Sequence, residues 1–404
     1  MGCGLMHVRA RPSRISCHLL LHDDVISTRR ISWIMYLPTT PWTAADGGAL
    51  ELYPALPAPL PTAASSSSTD PSRPAPQTWR DEVGSDVYPT KSIPPKWAQF
   101  VFFEVMPGES YHAVQEVVAG PPKERLSISG WFHKAQEGEE GYEGPEQDGL
   151  ASSLAQIVRR SCVAQNLSCL PALIPLRSGL VQTQSSLTSR LVRYTSDPPA
   201  PGTALTADQV SFLAPFLHPQ YLEPTVLGAL GGQFANDSFL LLDKFLHPDL
   251  APELERGLAE LDVKHGLNRQ SRAGLIPDMR AGDGDEGWEV VGPSTRQRFL
   301  SLTPSAPAAA ASKGATVTVR TLLSEVLPSD AFRTWLALLT GFPPLAHRLE
   351  ARRLRPGLDY TLARGEEGDE SRLDVRLGLT PGDKWEDLEG GEAFGGWEVS
   401  LRPP

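Results

Sequence analysis

Residues 20–38 read LLHDDVISTRRISWIMYLP, and this stretch decides how the first part of the chain folds. Its latter half, residues 31–37, is rich in β-branched and aromatic side chains, which predicts a β-strand. Asp46-Gly47-Gly48 then indicates a turn into a second strand over residues 49–53. We therefore expect these two strands to be neighbours in an antiparallel sheet, and residues 99–105 to form a further strand.

A candidate metal site begins inside the same stretch. His22 and Asp24 lie two residues apart, so both side chains leave the same face if the segment is extended. With His112 they would place two imidazoles and one carboxylate on one side of an octahedral ion, the arrangement of non-haem Fe(II) oxygenases. Asp23 competes for the carboxylate position but would face the other side of a strand. The structural alternatives are a turn cap for Asp24 and a surface histidine for His112.

A candidate anchor for a carboxylate ligand follows in residues 125–132, RLSISGWF. Alternation places Arg125 and Ser127 on one face of a predicted strand. The guanidinium of Arg125 can bind a dicarboxylate through two hydrogen bonds. The alternative is an edge-strand arginine paired with Glu116 or Glu124. The order His-x-Asp, a later histidine and then Arg-x-Ser is that of 2-oxoglutarate-dependent oxygenases.

Length, charge and cysteine content limit the class of protein. The 404 residues are enough for two or three domains at about 150 residues each. The net charge of -11 argues against general nucleic-acid binding, although not against a basic protein partner. Four cysteines without zinc-type spacing indicate a reducing compartment. No apolar run reaches the roughly 18 residues that span a membrane.

The rest of the chain alternates biased segments with helical patterns. Residues 54–92 are dominated by Pro, Ala and Ser and have almost no core-forming residues, which indicates an insertion. Residues 135–204 are acidic and Pro-rich, which is typical of a linker. The second half combines helix patterns with strand candidates and so predicts an α+β domain. The predicted helices cover residues 210–217, 224–234, 252–261 and 330–339, and the strand candidates cover residues 239–242, 360–363 and 373–378.

Six blocks of the sequence closely resemble the prolyl 3-hydroxylases that act on a small-subunit ribosomal protein and affect translation termination. Fungal and animal members of that family share these blocks, so the resemblance covers most of the chain. It implies an α+β fold with tandem double-stranded β-helix (jelly-roll) domains and flanking helices, in which the second domain lacks iron. The blocks are residues 20–38, 47–53, 102–105, 125–133, 353–362 and 395–398.

The resemblance also implies the ligands and cosubstrates. Fe(II) would be bound by His22, Asp24 and His112, and 2-oxoglutarate by Arg125 and Ser127, with L-ascorbate keeping the iron reduced. No further catalytic residue is implied. Four aromatic residues are candidates for lining a proline-binding groove, although core packing explains the first and last of them equally well. They are Tyr36, Trp42, Tyr53 and Trp131.

The implied activity is that of a peptidyl-proline 2-oxoglutarate dioxygenase, a prolyl hydroxylase acting at C3 of a proline in a ribosomal protein. The implied partners are this substrate and factors of translation termination and mRNA decay, in the nucleus and cytoplasm. Direct binding of nucleic acid or of a membrane is not expected. One alternative is a catalytically inactive chain that serves as an interaction module for those factors. Another is a hydroxylase of a different substrate.

The sequence departs from the family at both ends. Relatives have a substantial region before the His-x-Asp motif, and Ser13 stands where they tend to carry a tyrosine that contacts the cosubstrate. They also continue beyond the strand pattern at residues 397–401. We therefore expect a chain truncated at both ends, with an incomplete first domain. The expected segments are residues 1–16 outside the family, 17–134 as the catalytic oxygenase domain with the insertion, 135–204 as the linker, and 205–404 as a non-catalytic, oxygenase-like domain.

Overall fold

The computed structural model describes most of the chain between Cys17 and Thr380, in two compact units. The first unit comprises Met1–Arg190, Gly266–Ser305 and Glu350–Asp369, and the second comprises Leu191–His265, Ala306–Leu349 and Glu370–Pro404. Most of the predicted insertion and linker, and the block 395–398, lie outside the described residues. The described residues are 17–26, 28–38, 40–55, 85–119, 123–135, 137–142, 191–200, 202–267, 278–302, 314–355, 357–361 and 372–380.

The elements are numbered here in chain order. The strands are β1 (Leu19–His22), β2 (Arg29–Tyr36), β3 (Leu50–Leu52), β4 (Lys91–Ile93), β5 (Gln99–Glu104), β6 (His112–Val114), β7 (Ser127–His133), β8 (Val192–Arg193), β9 (Trp288–Val291), β10 (Gln297–Leu302), β11 (Ala346–His347), β12 (Arg352–Arg353) and β13 (Tyr360–Thr361). The α-helices are α1 (Ala207–Leu213), α2 (Pro224–Asp237), α3 (Leu250–Lys264), α4 (Ala315–Thr321) and α5 (Asp330–Thr340).

The first unit contains a three-stranded antiparallel sheet in the order β5-β2-β7. Its two faces differ because side chains alternate along each strand. Trp33 pairs with Phe102 and Gly130, and this face is open to solvent, with Phe102 66% exposed. Tyr36 pairs with Ser127 on the opposite face, where both are buried. The sheet therefore has one apolar exposed face and one buried face with polar groups.

A second sheet of this unit has the order β1-β6-β3-β4. His112 at the start of β6 lies directly opposite His22 on β1 and Leu52 on β3. All of its strand pairs are antiparallel. The strands predicted over residues 31–37, 49–53 and 99–105 are confirmed as β2, β3 and β5, although β2 and β3 lie in different sheets and are not paired with each other. Antiparallel sheets of this kind agree with the expected jelly-roll fold.

A polar network connects the second sheet to a third, which is built from β10 with β9, β12 and β13. The buried Arg298 on β10 donates from Nη1 to the hydroxyl of Tyr53 at 2.7 Å and from Nε to O of Leu358 at 2.8 Å. The same hydroxyl donates to Glu51 at 2.6 Å. A buried arginine is therefore satisfied by groups from β3 and from residues far along the chain.

The second unit is mainly helical. Thr206 caps α1, because its Oγ1 accepts from N of Gln209 at 3.2 Å while the Gln209 side chain accepts from N of Thr206 at 3.0 Å. The buried Trp335 of α5 stacks with Phe332 and donates from Nε1 to O of Tyr221 at 2.7 Å. None of the described helices is long and apolar enough to cross a membrane.

The four predicted helices are confirmed as α1, α2, α3 and α5, with ends shifted by a few residues. The strand predicted over residues 360–363 is present in part as β13, which pairs with β10. The strands predicted over residues 239–242 and 373–378 are wrong, because both segments are described and neither pairs with another strand there. A short apolar run does not by itself separate a strand from an irregular segment.

Candidate metal and cosubstrate site

The two histidines singled out in the sequence face each other across neighbouring strands. β1 ends at His22 and β6 begins at His112, and their ring centroids are 4.2 Å apart. Asp24 lies beside both: its Oδ2 is 3.4 Å from Nε2 of His112 and its Oδ1 is 3.6 Å from Nε2 of His22. One ligand atom from each of the three residues lies within 4.8 Å of the others. All three can therefore reach one ion.

Asp24 reaches this position by a different route from the one expected. β1 stops at His22, and Asp24 has a left-handed backbone with a φ of 59°. The two side chains converge through a turn and not by leaving one face of a strand. Aspartate tolerates this conformation better than most residues. The competing Asp23 is engaged elsewhere, because its carboxylate accepts from N of Val25 at 3.2 Å and from N of Gly108 at 3.4 Å.

Backbone carbonyls fix the tautomer of both imidazoles. Nδ1 of His22 is 2.7 Å from O of Leu20, and Nδ1 of His112 is 2.9 Å from O of Ser110. A carbonyl oxygen only accepts hydrogen bonds, so Nδ1 carries the proton and Nε2 keeps its lone pair. Burial and the charge of His112 lower the pKa of His22, which favours the neutral, ligating form. Two neutral Nε2 atoms and one carboxylate form a donor set that suits Fe(II).

Asp24 is oriented by donors from the three-stranded sheet. Oγ of Ser32 donates to Oδ2 at 2.9 Å, and Nε1 of Trp131 donates to the same oxygen at 3.0 Å. Arg29 has Nη1 3.6 Å from Oδ1, and its guanidinium lies 3.7 Å from the centroid of the Trp131 ring. Burial raises the pKa of Asp24, but the interactions with His112 and Trp131 outweigh it and bring the pKa well below its usual range. The carboxylate therefore stays ionised.

The predicted carboxylate anchor lies just before β7. Arg125 is only 2% exposed, which contradicts the alternative of an edge-strand surface arginine. Its Nε donates to O of Gly48 at 2.7 Å, and its guanidinium carbon is 5.0 Å from the centroid of the Tyr36 ring. Within the described part of the chain, Nη2 of Arg125 and the hydroxyl of Tyr36 are both buried without a hydrogen-bond partner. Two unsatisfied donors side by side fit a carboxylate of 2-oxoglutarate.

Tyr36 is the residue whose role the sequence left open. It ends β2 on the same face as Ser32, directly opposite Ser127, which is also buried. Burial raises the pKa of Tyr36, so its hydroxyl remains a protonated donor. The signal in the sequence is the strand parity that Tyr36 shares with Ser32. Tyr36 and Ser127 therefore face the same buried region, with Arg125 against the Tyr36 ring.

The other aromatic candidates have different positions. Tyr53 directly follows β3 and packs with Leu21 and Tyr111, away from the pair of Leu52 and His112; it is bonded to Arg298 and so does not line a groove at His112. Trp42 donates from Nε1 to O of Gly47 at 2.8 Å and supports the turn before β3. Trp131 lies at the site as the donor to Asp24. The sequence did not indicate Phe103, whose ring meets the His112 ring edge-on at 4.6 Å.

Two family models match the chain. Residues 10–73 and 78–133 match the 2OG-Fe(II) oxygenase superfamily. Residues 208–402 match the model described as oxoglutarate and iron-dependent oxygenase degradation C-term. The first match covers all three candidate metal ligands and Arg125, and it agrees with the antiparallel sheets that carry them.

The chain also resembles curated proteins that are named as prolyl hydroxylases. It is 34% identical over 371 residues to Prolyl 3,4-dihydroxylase OGFOD1 of Ostreococcus tauri, covering 91% of this chain and 60% of that protein. It is 38% identical over 115 residues to Prolyl 3-hydroxylase OGFOD1 of Xenopus laevis, which covers 28% of this chain and 17% of that protein. Fold, site and matches are all similar to those of 2-oxoglutarate- and Fe(II)-dependent oxygenases. Within this class, its similarity is to the OGFOD1-type prolyl 3-hydroxylases, and it spans 60% of the length of the Ostreococcus relative.

Proposed function

We propose that this chain is an Fe(II)- and 2-oxoglutarate-dependent peptidyl-proline hydroxylase. The observation that carries the proposal is the cluster of His22, Asp24 and His112 in one unit with Arg125, a buried arginine that has an unused donor. Similarity to these proteins supports the same activity. The chain covers too little of its relatives for the activity to follow from similarity alone.

The donors of the site fit both the ion and the oxo acid. His22, Asp24 and His112 would hold the ion on one face. Bound Fe(II), together with 2-oxoglutarate and O2, supplies hydroxylation of an aliphatic C–H bond while the oxo acid is converted to succinate and carbon dioxide. Arg125 would hold the distal carboxylate with Tyr36 and Ser127 beside it, since all three side chains are buried and polar. L-ascorbate would keep the ion reduced.

The chain's own part is to hold its groups in place. The hydrogen bonds to Nδ1 keep both imidazoles in one tautomer, so no proton has to move between ring nitrogens before a metal binds. Ser32 and Trp131 fix Oδ2 of Asp24. Phe103 packs against the His112 ring, which is only 4% exposed. Water is thereby excluded from one side of the site.

For the substrate we propose a prolyl residue of a small-subunit ribosomal protein, hydroxylated at C3. The sequence resemblance supports this, as do the names of the relatives from Xenopus laevis and Drosophila melanogaster, which are both called prolyl 3-hydroxylases. The net charge of -11 suits a basic substrate protein. The reaction would connect the chain to translation termination, with termination and mRNA-decay factors as partners in the nucleus and cytoplasm.

We also propose tandem jelly-roll domains. A catalytic region over residues 17–134 would be followed by a linker over residues 135–204 and a second, non-catalytic oxygenase-like domain over residues 205–404. The match of residues 208–402 to the C-terminal family model supports the last of these boundaries.

The test is 2-oxoglutarate-dependent succinate release by the full chain with Fe(II), in the presence of a proline-containing ribosomal peptide. We expect release, and a mass gain of one oxygen in the peptide. His112→Ala should abolish both, whereas His133→Ala, which changes an exposed histidine on β7, should leave both intact. A folded chain that binds Fe(II) and 2-oxoglutarate but neither releases succinate nor modifies the peptide would contradict the proposal and favour the interaction module.

A further inference from the structure

The position of Arg125 depends on a glycine 77 residues away. Gly48 lies in the turn before β3 and has a left-handed backbone with a φ of +65°. Its carbonyl oxygen accepts the 2.7 Å hydrogen bond from Nε of Arg125, and its N donates to O of Glu116 at 3.0 Å. The turn therefore binds the arginine through the nitrogen nearest its aliphatic stem and leaves Nη2 at the far end without a partner among the described residues.

The missing side chain of Gly48 matters as much as its carbonyl. A Cβ at this position would lie 2.7 Å from Cδ and 3.1 Å from Nε of Arg125, and 2.9 Å from Cγ2 of Val117. Non-bonded carbon atoms rest at about 3.5–4.0 Å. Any side chain at residue 48 would therefore have to displace its neighbours by about 1 Å. The Arg125 stem occupies the space that a side chain would need.

The turn itself is fixed on both sides. Nζ of Lys123 bonds to both carboxylate oxygens of Asp46 at 2.8 Å, and N of Thr43 donates to the same carboxylate at 2.7 Å. Trp42 donates to O of Gly47 at 2.8 Å. A turn held by these four hydrogen bonds yields less readily than one side chain, so a substitution at Gly48 would move the arginine more than the turn.

We infer that Gly48 is a positioning residue for cosubstrate binding: its carbonyl orients Arg125 and its lack of a side chain sets the depth at which the guanidinium meets a dicarboxylate. This inference rests on the proposed function, because it concerns the same site. The effect of Gly48 should concern only the distal carboxylate of 2-oxoglutarate, because that is the group that Arg125 would bind. A misplacement of about 1 Å can cost on the order of 100-fold in a geometry-dependent step.

The consequence is a selective loss. Gly48→Ala should weaken binding of 2-oxoglutarate, which has a distal carboxylate, and spare 2-oxobutyrate, which has the same metal-chelating 2-oxo acid group without that carboxylate. Metal binding should also be unchanged, because the atoms nearest to a Cβ at Gly48 belong to Arg125 and Val117 and not to a metal-ligand candidate. A general loss of structure would instead weaken all three.

The experiment is calorimetric titration of the full chain, first with Mn(II), which prevents turnover, and then with each oxo acid. We expect the dissociation constant of 2-oxoglutarate to rise about 10- to 100-fold in Gly48→Ala, since charge-assisted hydrogen bonds are the part that is lost. The constants for Mn(II) and 2-oxobutyrate should change less than about twofold. In the Arg125→Lys background, the added Gly48→Ala change should have little further effect, because the two residues act as one unit.

The matched control is Gly266→Ala. Gly266 belongs to the same unit and has the same φ of +65°, but a Cβ there would meet nothing within 4 Å. It therefore carries the same backbone strain without the contact to an arginine. If Gly48→Ala fails to fold, the double variant Gly48→Ala/Val117→Ala removes the clash with Val117 and leaves Arg125 as the crowded neighbour, and the same titrations apply to it.

Each outcome has a definite meaning. Selective loss of 2-oxoglutarate binding in the Gly48 variant, absent from Gly266→Ala, supports the inference. Equal binding in the two variants would overturn it, and so would a parallel loss of 2-oxobutyrate binding, which indicates general damage to the site. Absence of 2-oxoglutarate binding by the unaltered chain would overturn the proposed function together with this inference.

Discussion

Trp131 donates its indole N–H to Oδ2 of Asp24 at 3.0 Å, across 107 residues of sequence. The strand that follows Arg125, the proposed cosubstrate anchor, therefore also orients the carboxylate of the candidate metal site. The same oxygen accepts from Ser32 on the neighbouring strand β2. Asp24 is thus oriented by the sheet that Arg125 adjoins, whereas His22 and His112 lie on the second sheet, so disturbing β7 should affect Asp24 and Arg125 together.

Trp131→Phe should weaken metal binding about 10-fold, because partners of metal ligands typically contribute 10- to 100-fold in affinity. Phenylalanine keeps an aromatic ring but removes the N–H donor and part of the ring area that faces Arg29, while Ser32 still holds Oδ2. The measurement is a Mn(II) or anaerobic Fe(II) titration of the full chain. Trp97→Phe is the control, because Trp97 is 68% exposed and makes no contact with the site in the described structure. Equal metal affinity in the two variants would contradict the role of Trp131.

Tyr36→Phe should weaken binding of 2-oxoglutarate without lowering the stability of the ligand-free chain. The Tyr36 hydroxyl is buried without a partner in the described structure, so its removal should leave the ligand-free chain as stable or up to about 1 kcal/mol more stable. Binding of 2-oxoglutarate should weaken about 10-fold, because a donor to its carboxylate is lost. Thermal unfolding with and without 2-oxoglutarate checks both effects. A variant that is destabilised without ligand would indicate a packing role for the hydroxyl.

Gly130→Ala should destabilise the three-stranded sheet. A Cβ at this position would lie 2.7 Å from Cζ2 of Trp33, and crowding of this kind costs about 1–3 kcal/mol. Gly228→Ala, in α2, provides the contrast, because a Cβ there meets nothing within 4 Å and should stabilise by about 0.5–1 kcal/mol. Urea denaturation of both variants measures the difference, and equal effects would refute the steric argument.

Glu51 should make the free energy of unfolding of the chain depend on pH. Burial raises the pKa of Glu51 above its ordinary value of 4.5, although Tyr53 and Arg298 partly oppose this. The folded chain therefore binds more protons than the unfolded chain from 4.5 up to the raised value, and the free energy of unfolding falls as the pH rises through this window. Glu51→Gln removes the titration, so the variant should gain stability relative to the unaltered chain as the pH increases.

The check is urea denaturation of both proteins at about pH 4 and about pH 7, with the difference between them compared at the two values. Glu104→Gln, on the exposed face of β5, is the control for a change of charge alone. A difference between Glu51→Gln and the unaltered chain that stays constant with pH would show that the raised pKa of Glu51 does not contribute.

Local patterns were sufficient for β2, β3 and β5 and for four helices, but they did not predict the strand β6 that carries His112. The branched and aromatic run became β2, and the helices α1, α2, α3 and α5 follow their predicted ranges. The meeting of His22 with His112 could be anticipated, because two imidazoles and a carboxylate suit one ion. The left-handed backbone of Asp24 could not, since alternation alone describes an extended strand.

The partners formed over long distances could not be derived from alternation or spacing. Nothing near Tyr53 in the sequence indicates Arg298, and nothing near Arg125 indicates that Gly48 would accept its hydrogen bond. Such contacts depend on which strands become neighbours, and side-chain periodicity only shows which face each residue occupies. Residues 239–242 illustrate the same limit, because an apolar run becomes a strand only where another strand can pair with it.

The hydrogen bonds from His22 and His112 to backbone carbonyls determine how the candidate site behaves when no ion is bound. Both rings are held by the chain itself, so their orientation does not have to be established by a bound ion. In small zinc domains, by contrast, the metal supplies the folding free energy. If the proposed site binds iron, a chain built in this way would release and regain the ion without refolding, and its activity would rise and fall reversibly with the concentration of available iron.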